Sequence, residues 1–218
     1  MGRILWRIMC RDLRLALCGG GVWWQSMGFV AGVWVCFALA GAQDVAWMAQ
    51  SALPVLWVTV LLSVLLSLPH VYATDAEDGS LEQFLSLPVA TEVVVCAKLL
   101  AQWLYSVGPV CVILPLWHLG FAGAVGWPWM VLTLMIGGLG LVALVHIVAV
   151  LLAHSHVSSV LAVVLIFPLA VPLLIFGVQA SAAGTLHTLA FGLLCGQAGV
   201  GVATACLLGG WILRAGYR

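Results

Sequence analysis

Residues 128–152 read PWMVLTLMIGGLGLVALVHIVAVLL and contain no Asp, Glu, Lys or Arg. The hydrocarbon core of a bilayer is about 30 Å thick, and a helix of about 20 apolar residues crosses it. The stretch therefore predicts a transmembrane helix. The composition agrees, because 65% of the 218 residues are hydrophobic and only 6% are charged. Soluble domains carry about 25% charged residues, so the composition excludes a soluble fold.

Five further apolar runs of similar length flank this stretch on both sides. The six predicted spans cover residues 22–42, 52–72, 93–119, 128–152, 158–178 and 188–212. We therefore expect an all-α integral membrane protein with six transmembrane helices, forming one domain over residues 1–218. Gly28-x-x-x-Gly32 and Gly192-x-x-x-Gly196 are places where a neighbouring helix can approach closely. Only one connection is long, the segment 73–91.

The basic residues predict the orientation of the spans. With six spans, all of them fall at one end of the bundle: Arg3, Arg7, Arg11, Arg14, Lys98, Arg214 and Arg218. Basic loops stay in the cytoplasm, so we expect both termini and the segment 73–91 to be cytoplasmic. An alternative is that the basic start and first apolar run form a signal peptide, cleaved near Gln43, which would leave five spans.

The first 17 residues have a regular pattern. Arg3, Arg7, Arg11 and Arg14 follow one another at intervals of four, four and three, so they share one helical face. Such a helix is expected to lie in the cytoplasmic membrane interface, with its arginines toward phosphates and water. Two roles remain open, a simple topology anchor and a helix that also touches a partner.

The segment 73–91 is unusual because four of the seven acidic residues fall between positions 75 and 82. Ser80 and Gln83 match a capping box that begins a helix, and Leu81, Phe84 and Leu85 then share one face. A helix of about two turns is too short to be stable alone. The cytoplasmic leaflet is negative and repels carboxylates. The pattern therefore favours a short amphipathic helix that docks onto a cytoplasmic protein rather than onto lipid.

The sequence carries no motif for chemistry of its own. There is no G-x-x-x-x-G-K-[S/T], and Lys98 is the only lysine, so another polypeptide must hydrolyse ATP if ATP drives this protein. The seven cysteines form no C-x-x-C pair, which argues against a zinc site, a redox dithiol and covalent haem attachment. No basic run suggests nucleic acid. We expect neither a metal site nor an enzyme.

Two of the six histidines are candidates for a contact with haem. His146 is in the middle of the fourth predicted span, and His118 is near the outer end of the third. An ionisable residue within the membrane is a functional candidate, and imidazole can ligate haem iron. The alternative is a neutral histidine that is hydrogen-bonded between helices.

Two blocks of residues are similar to one known family. DGSLEQ at 78–83, with Leu87-Pro88 and Ala97-Lys98 after it, and FPLAVPLLIF at 167–176 resemble CcmB. That family supplies the permease subunit of the system that exports haem for cytochrome c maturation. The resemblance also extends to chain length, number of spans and the position of the long cytoplasmic segment.

The resemblance implies an ABC-2-type transporter fold in a bacterial inner membrane. It implies two copies of the chain with two copies of the ATPase CcmA, together with CcmC, the small CcmD and, indirectly, the haem chaperone CcmE. ATP would then be bound by CcmA, and haem would be transported or handled rather than held tightly by this chain. The segment 73–91 would couple to the ATPase through Asp75, Glu77, Asp78, Gly79, Ser80, Leu81, Glu82, Gln83, Phe84 and Leu85. The alternatives are an ABC-2 permease for another cargo, such as a lipid-linked sugar or a drug, and a scaffold subunit that moves nothing.

Overall fold

A computed structural model describes residues 2–19, 21–72, 75, 90–120, 126–153 and 159–216. The seven α-helices in these residues are α1 (Gly2–Arg14), α2 (Val22–Gly41), α3 (Val45–Leu66), α4 (Thr91–Gly120), α5 (Trp127–Ala153), α6 (Ser159–Ala183) and α7 (Leu189–Gly216). A π-helical turn, Leu15–Gly19, follows α1, and a 3-10 turn, Leu68–His70, follows α3. No β-strand occurs in the described part of the chain. The fold is therefore all-α, as the sequence predicts.

The six helices α2 to α7 are long and apolar enough to cross a membrane, which confirms the six predicted spans. Several boundaries differ from the prediction, and two of the differences have a clear local cause. The second span begins at Val45 rather than at 52, because the Asp44 side chain accepts a hydrogen bond from the Trp47 N–H at 2.9 Å and caps the helix. The fifth continues to Ala183 rather than 178, and Gly184 follows it with a φ of 67°, the left-handed conformation that ends many helices.

The core lies around α5, the most buried of the six spans, whereas α2 and α7 are the least buried. Helix α5 packs against α7, α6 and α4. Leu134, Leu141 and Val145 on α5 are completely buried. The remainder of the fold is thus arranged around one central helix.

Close helix approach occurs at other glycines than those predicted. A Cβ atom added at Gly28, Gly32, Gly192 or Gly196 would meet no described atom within 4 Å. A Cβ atom at Gly137 of α5 or Gly177 of α6 would instead lie 2.3 Å and 2.7 Å from the Trp57 ring. The predicted glycine pairs are therefore not packing sites among the described residues of this chain, whereas Gly137 and Gly177 make room for the Trp57 indole.

The N-terminal helix α1 packs against the beginning of α4. Ile8 of α1 is buried with Val94 and Ala97 of α4, and Ile4 and Leu5 pack against them. Trp6, Arg3, Arg7 and Arg14 are exposed, whereas Arg11 is only partly exposed. The predicted helix is present, and its apolar face is buried against the chain itself.

Candidate functional site

Of the ten residues predicted to contact the ATPase, only Asp75 belongs to the described part of the chain. The other nine are Glu77, Asp78, Gly79, Ser80, Leu81, Glu82, Gln83, Phe84 and Leu85, and they lie outside the described residues. Asp75 is buried, with 4% of its surface exposed. Its carboxylate is directed into the chain, where it meets oppositely charged groups.

Asp75 belongs to a group of four charged residues that we call the ion cluster: Arg11, Asp12, Asp75 and Lys98. The Lys98 ammonium pairs with the Asp75 carboxylate and with the Asp12 carboxylate at 3.1 Å. The Arg11 guanidinium pairs with Asp75 at 3.0 Å and with Asp12 at 2.9 Å. Among the described residues, two positive and two negative groups are thus joined by four ion pairs, and their formal charges cancel.

Burial makes the pairing in the ion cluster obligatory. The Lys98 side chain is only 2% exposed and that of Asp75 only 6% exposed. A buried charge that loses its partner is strongly destabilising, by about 3–5 kcal/mol. Lys98 also donates to the Val71 carbonyl oxygen at 3.4 Å, and its nitrogen lies 5.4 Å from the centre of the Tyr72 ring. Lys98, the only lysine of the chain, lies on α4. It therefore connects α4 with α1 and with the residues that follow α3.

A second group, which we call the polar network, lies beside the ion cluster and consists of Ser67, Tyr72, Gln102 and His146. The Tyr72 hydroxyl is 2.7 Å from His146 Nε2, and His146 Nδ1 is 3.0 Å from Gln102 Oε1. Gln102 Nε2 donates to Ser67 Oγ at 3.0 Å, and Ser67 Oγ donates to the Val64 carbonyl at 2.6 Å. The network therefore joins α5 to α4 and to the end of α3.

The last bond of the polar network fixes the direction of the others. The single hydroxyl hydrogen of Ser67 points to the Val64 carbonyl, so Ser67 Oγ accepts from the Gln102 amide and Gln102 presents its oxygen to His146. His146 must then carry its hydrogen on Nδ1, and Nε2 accepts from the Tyr72 hydroxyl. Tyr72 lies beyond the end of the second span, and burial, with the Asp12 and Asp75 carboxylates, raises the pKa of its hydroxyl well above the usual value. Tyr72 therefore stays a neutral donor.

The arrangement bears on haem ligation by histidine. His146 is completely buried, and both of its ring nitrogens are engaged within the polar network. In this geometry it acts as a neutral bridge between helices rather than presenting a lone pair to a ligand. His118 lies at the opposite end of α4 and is partly exposed. A haem contact at either histidine stays a prediction.

The far end of the long segment is held by a different contact. Arg214 of α7 pairs with Glu92 of α4 at 2.5 Å and donates to Thr91 Oγ1 at 3.0 Å. The Arg214 and Glu92 side chains are 49% and 32% exposed. We call this contact the exposed pair. The long segment 73–91 thus has a buried ion cluster at its beginning and an exposed ion pair at its end.

Sequence reasoning named Asp75 but missed its partners. Lys98 and Gln102 are polar residues in an apolar span and stand four positions apart, so they share one face of α4. That spacing is a signal for an internal polar site. Asp12 gave no such signal, because it lies among arginines and looks like part of a surface helix.

Comparison with known proteins places these features in a family. The family model described as CcmB protein matches residues 3–210 of the chain. Heme exporter protein B of Paracoccus denitrificans is 33% identical over 79% of this chain and 80% of its own length. The protein of that name from Bradyrhizobium diazoefficiens is 35% identical over 84% of this chain and 82% of its own, and that from Escherichia coli K12 is 33% identical over 84% of each. The matched residues 3–210 take in most of helix α1, helices α2 to α6 in full and the greater part of α7.

Proposed function

The chain belongs to the CcmB family, and from this premise we propose that it is the membrane permease subunit of a haem exporter that serves cytochrome c maturation. The observation that carries the proposal is the family match over residues 3–210, which contains six helices fit to cross a membrane. Relatives that bear the name heme exporter protein B align over most of the chain.

We assign the hydrolysis of ATP to a separate subunit, CcmA, and propose residues 77–85 as its contact, because the Asp75 carboxylate is buried against Lys98 and Arg11 of this chain. The absence of a Walker A sequence from the chain supports a separate ATPase. The clustering of described Lys and Arg at one end of the bundle, around α1, the beginning of α4 and the end of α7, supports a cytoplasmic location of that end. Both termini would then be cytoplasmic, in a bacterial inner membrane.

The remaining partners follow the family. CcmC and CcmD would complete the membrane complex, with two copies of this chain, and ATP hydrolysis would drive haem handling and release of the chaperone CcmE. Haem is the handled substrate in this proposal, while ATP stays on the partner subunit. The apolar faces of α2 and α7 that the chain leaves exposed provide room for other membrane subunits or lipid.

Replacement of Glu82 by Lys tests the ATPase contact. We expect the variant to reach the membrane in normal amount, to lose co-purification of CcmA, and to lose most haem-stained cytochrome c. Glu82→Gln is a matched variant that removes the charge without reversing it, and it should retain more of the CcmA co-purification than Glu82→Lys. Normal co-purification and cytochrome yield in Glu82→Lys would contradict the contact.

A deletion strain tests the wider function. We expect loss of all c-type cytochromes with retention of b-type cytochromes, and recovery when the chain is supplied on a plasmid. Retention of c-type cytochromes would contradict haem export and would favour another cargo. Release of CcmE on ATP hydrolysis in liposomes without haem flux would instead favour a scaffold role.

A further inference from the structure

We propose that Lys98 is a positioning residue that makes the beginning of the long segment, helix α1 and helix α4 move as one unit. Lys98 holds Asp75, at the beginning of the segment, and Asp12, on α1, from a place on α4. Any displacement of the segment by a partner is then passed directly to a membrane-spanning helix. This inference rests on the proposed function only where cytochrome c yield, CcmA co-purification or ATPase rate is measured.

The first support is the number of points at which the chain is fixed where it enters the segment. The Val71 carbonyl accepts from Lys98, the Tyr72 hydroxyl bonds to His146, and the Asp75 carboxylate pairs with Lys98 and Arg11. Two of these three attachments lead to the same ammonium group. The beginning of the segment is thus attached to α4 through a side chain, the Asp75 carboxylate, and through a backbone group just before it, the Val71 carbonyl.

The second support is electrostatic. The ion cluster is neutral as a whole, and Lys98 and Asp75 are almost inaccessible to water. If Asp75 moved away alone, the cluster would keep a net positive charge beside the buried Lys98 ammonium, whose side chain is only 2% exposed. Joint movement avoids that cost, because the pairs stay intact.

The third support is the apolar contact that continues the cluster. Ile8 of α1 is buried with Val94 and Ala97 of α4, on the same two helices that Asp12 and Lys98 join. The ionic and the apolar contacts therefore both hold α1 against α4. Asp75 is attached to α1 through Arg11 and to α4 through Lys98.

Charge-balanced variants separate transmission from folding. Lys98→Met leaves the ion cluster with a net negative charge and Asp75→Asn leaves it with a net positive charge, so we expect both to reduce the membrane amount of the chain. The double variant Lys98→Met/Asp75→Asn is neutral, so its membrane amount should recover to at least half of wild type. Because the link is still missing, its cytochrome c yield per chain should stay at least tenfold below wild type, while CcmA still co-purifies. Lys98→Arg keeps the charge and should retain most of the yield.

Recovery of both amount and yield in the double variant would overturn the proposal, since a merely structural cluster predicts that result. If Glu82→Lys and the deletion strain also leave cytochromes unaffected, the proposed function fails instead. The two failures are therefore distinguishable.

A covalent link provides a test that does not depend on folding of the charge variants. Ile8→Cys and Val94→Cys are introduced into a chain whose seven native cysteines are replaced by alanine, and the pair is oxidised in the assembled complex. Because α1 and α4 move together, we expect the ATPase rate of the oxidised complex to stay within twofold of the same sample after reduction with dithiothreitol. A tenfold loss that reduction restores would show that α1 and α4 must separate, and would overturn the proposal.

Discussion

The two ends of the long segment 73–91 are held by ion pairs of opposite character. At the beginning, the Lys98 and Asp75 side chains are 2% and 6% exposed and belong to a closed cluster of four charges. At the end, the Arg214 and Glu92 side chains are 49% and 32% exposed and form a single ion pair, with no third charged group on it among the described residues. An exposed pair contributes about 0–1 kcal/mol and can break into water, whereas a buried charge cannot lose its partner cheaply. The segment therefore has one fixed end and one adjustable end.

Lys98→Met is expected to have the largest effect. The substitution leaves the buried Asp75 and Asp12 carboxylates with Arg11 as their only cation in the ion cluster, and should lower the free energy of unfolding by about 3–5 kcal/mol. Denaturant unfolding of the purified chain in detergent micelles measures the loss. A loss below about 1 kcal/mol would show that the cluster is not the fixed end described above.

His146→Phe is expected to have an intermediate effect. The phenyl ring is larger than the imidazole and has no polar atom, so the buried Tyr72 hydroxyl and Gln102 amide oxygen lose their partners, which costs about 1–3 kcal/mol for each unsatisfied group. The same unfolding measurement applies. His118→Phe is the matched control at the partly exposed end of α4 and should change stability by less than about 0.5 kcal/mol. Equal effects of the two substitutions would show that the polar network does not help to hold the beginning of the long segment.

Glu92→Gln is expected to have the smallest effect. The amide keeps the shape and a hydrogen-bond acceptor for Arg214, so the loss should be below about 1 kcal/mol. The difference between wild type and variant should shrink further at 1 M salt, where the Debye length is about 3 Å. Unfolding in low and high salt checks this, and a loss comparable with that of Lys98→Met would contradict an adjustable end.

Much of the fold could be predicted from the sequence, because six apolar runs leave little choice of secondary structure within a membrane. The boundaries at Val45 and Ala183 could not, since they depend on a cap at Asp44 and a left-handed Gly184 rather than on hydropathy. The N-terminal helix was predicted from its arginine spacing. The burial of this helix against α4 through Ile8 was not predicted, although its apolar face is evident in the sequence.

The candidate site was harder to predict because its members are far apart in sequence. The run of acids after residue 74 indicates a charged surface, and nothing local shows that the first of them points inward. Its partner Lys98 stands 23 positions away, and Asp12 meets that lysine across 86 positions. Lys98 and Gln102 on one face of α4 were the available clue. Such pairings are tertiary contacts, and they cannot be predicted from the local pattern of a single sequence.

The most direct measurement is a pair of double-mutant cycles on the free energy of unfolding, one for Asp75→Asn with Lys98→Met and one for Glu92→Gln with Arg214→Met. The cycle isolates the interaction of the two residues from their separate contributions. A fixed and an adjustable end predict a coupling energy of at least about 2 kcal/mol for Asp75 with Lys98 and below about 0.5 kcal/mol for Glu92 with Arg214. Equal coupling energies at the two ends would contradict that distinction.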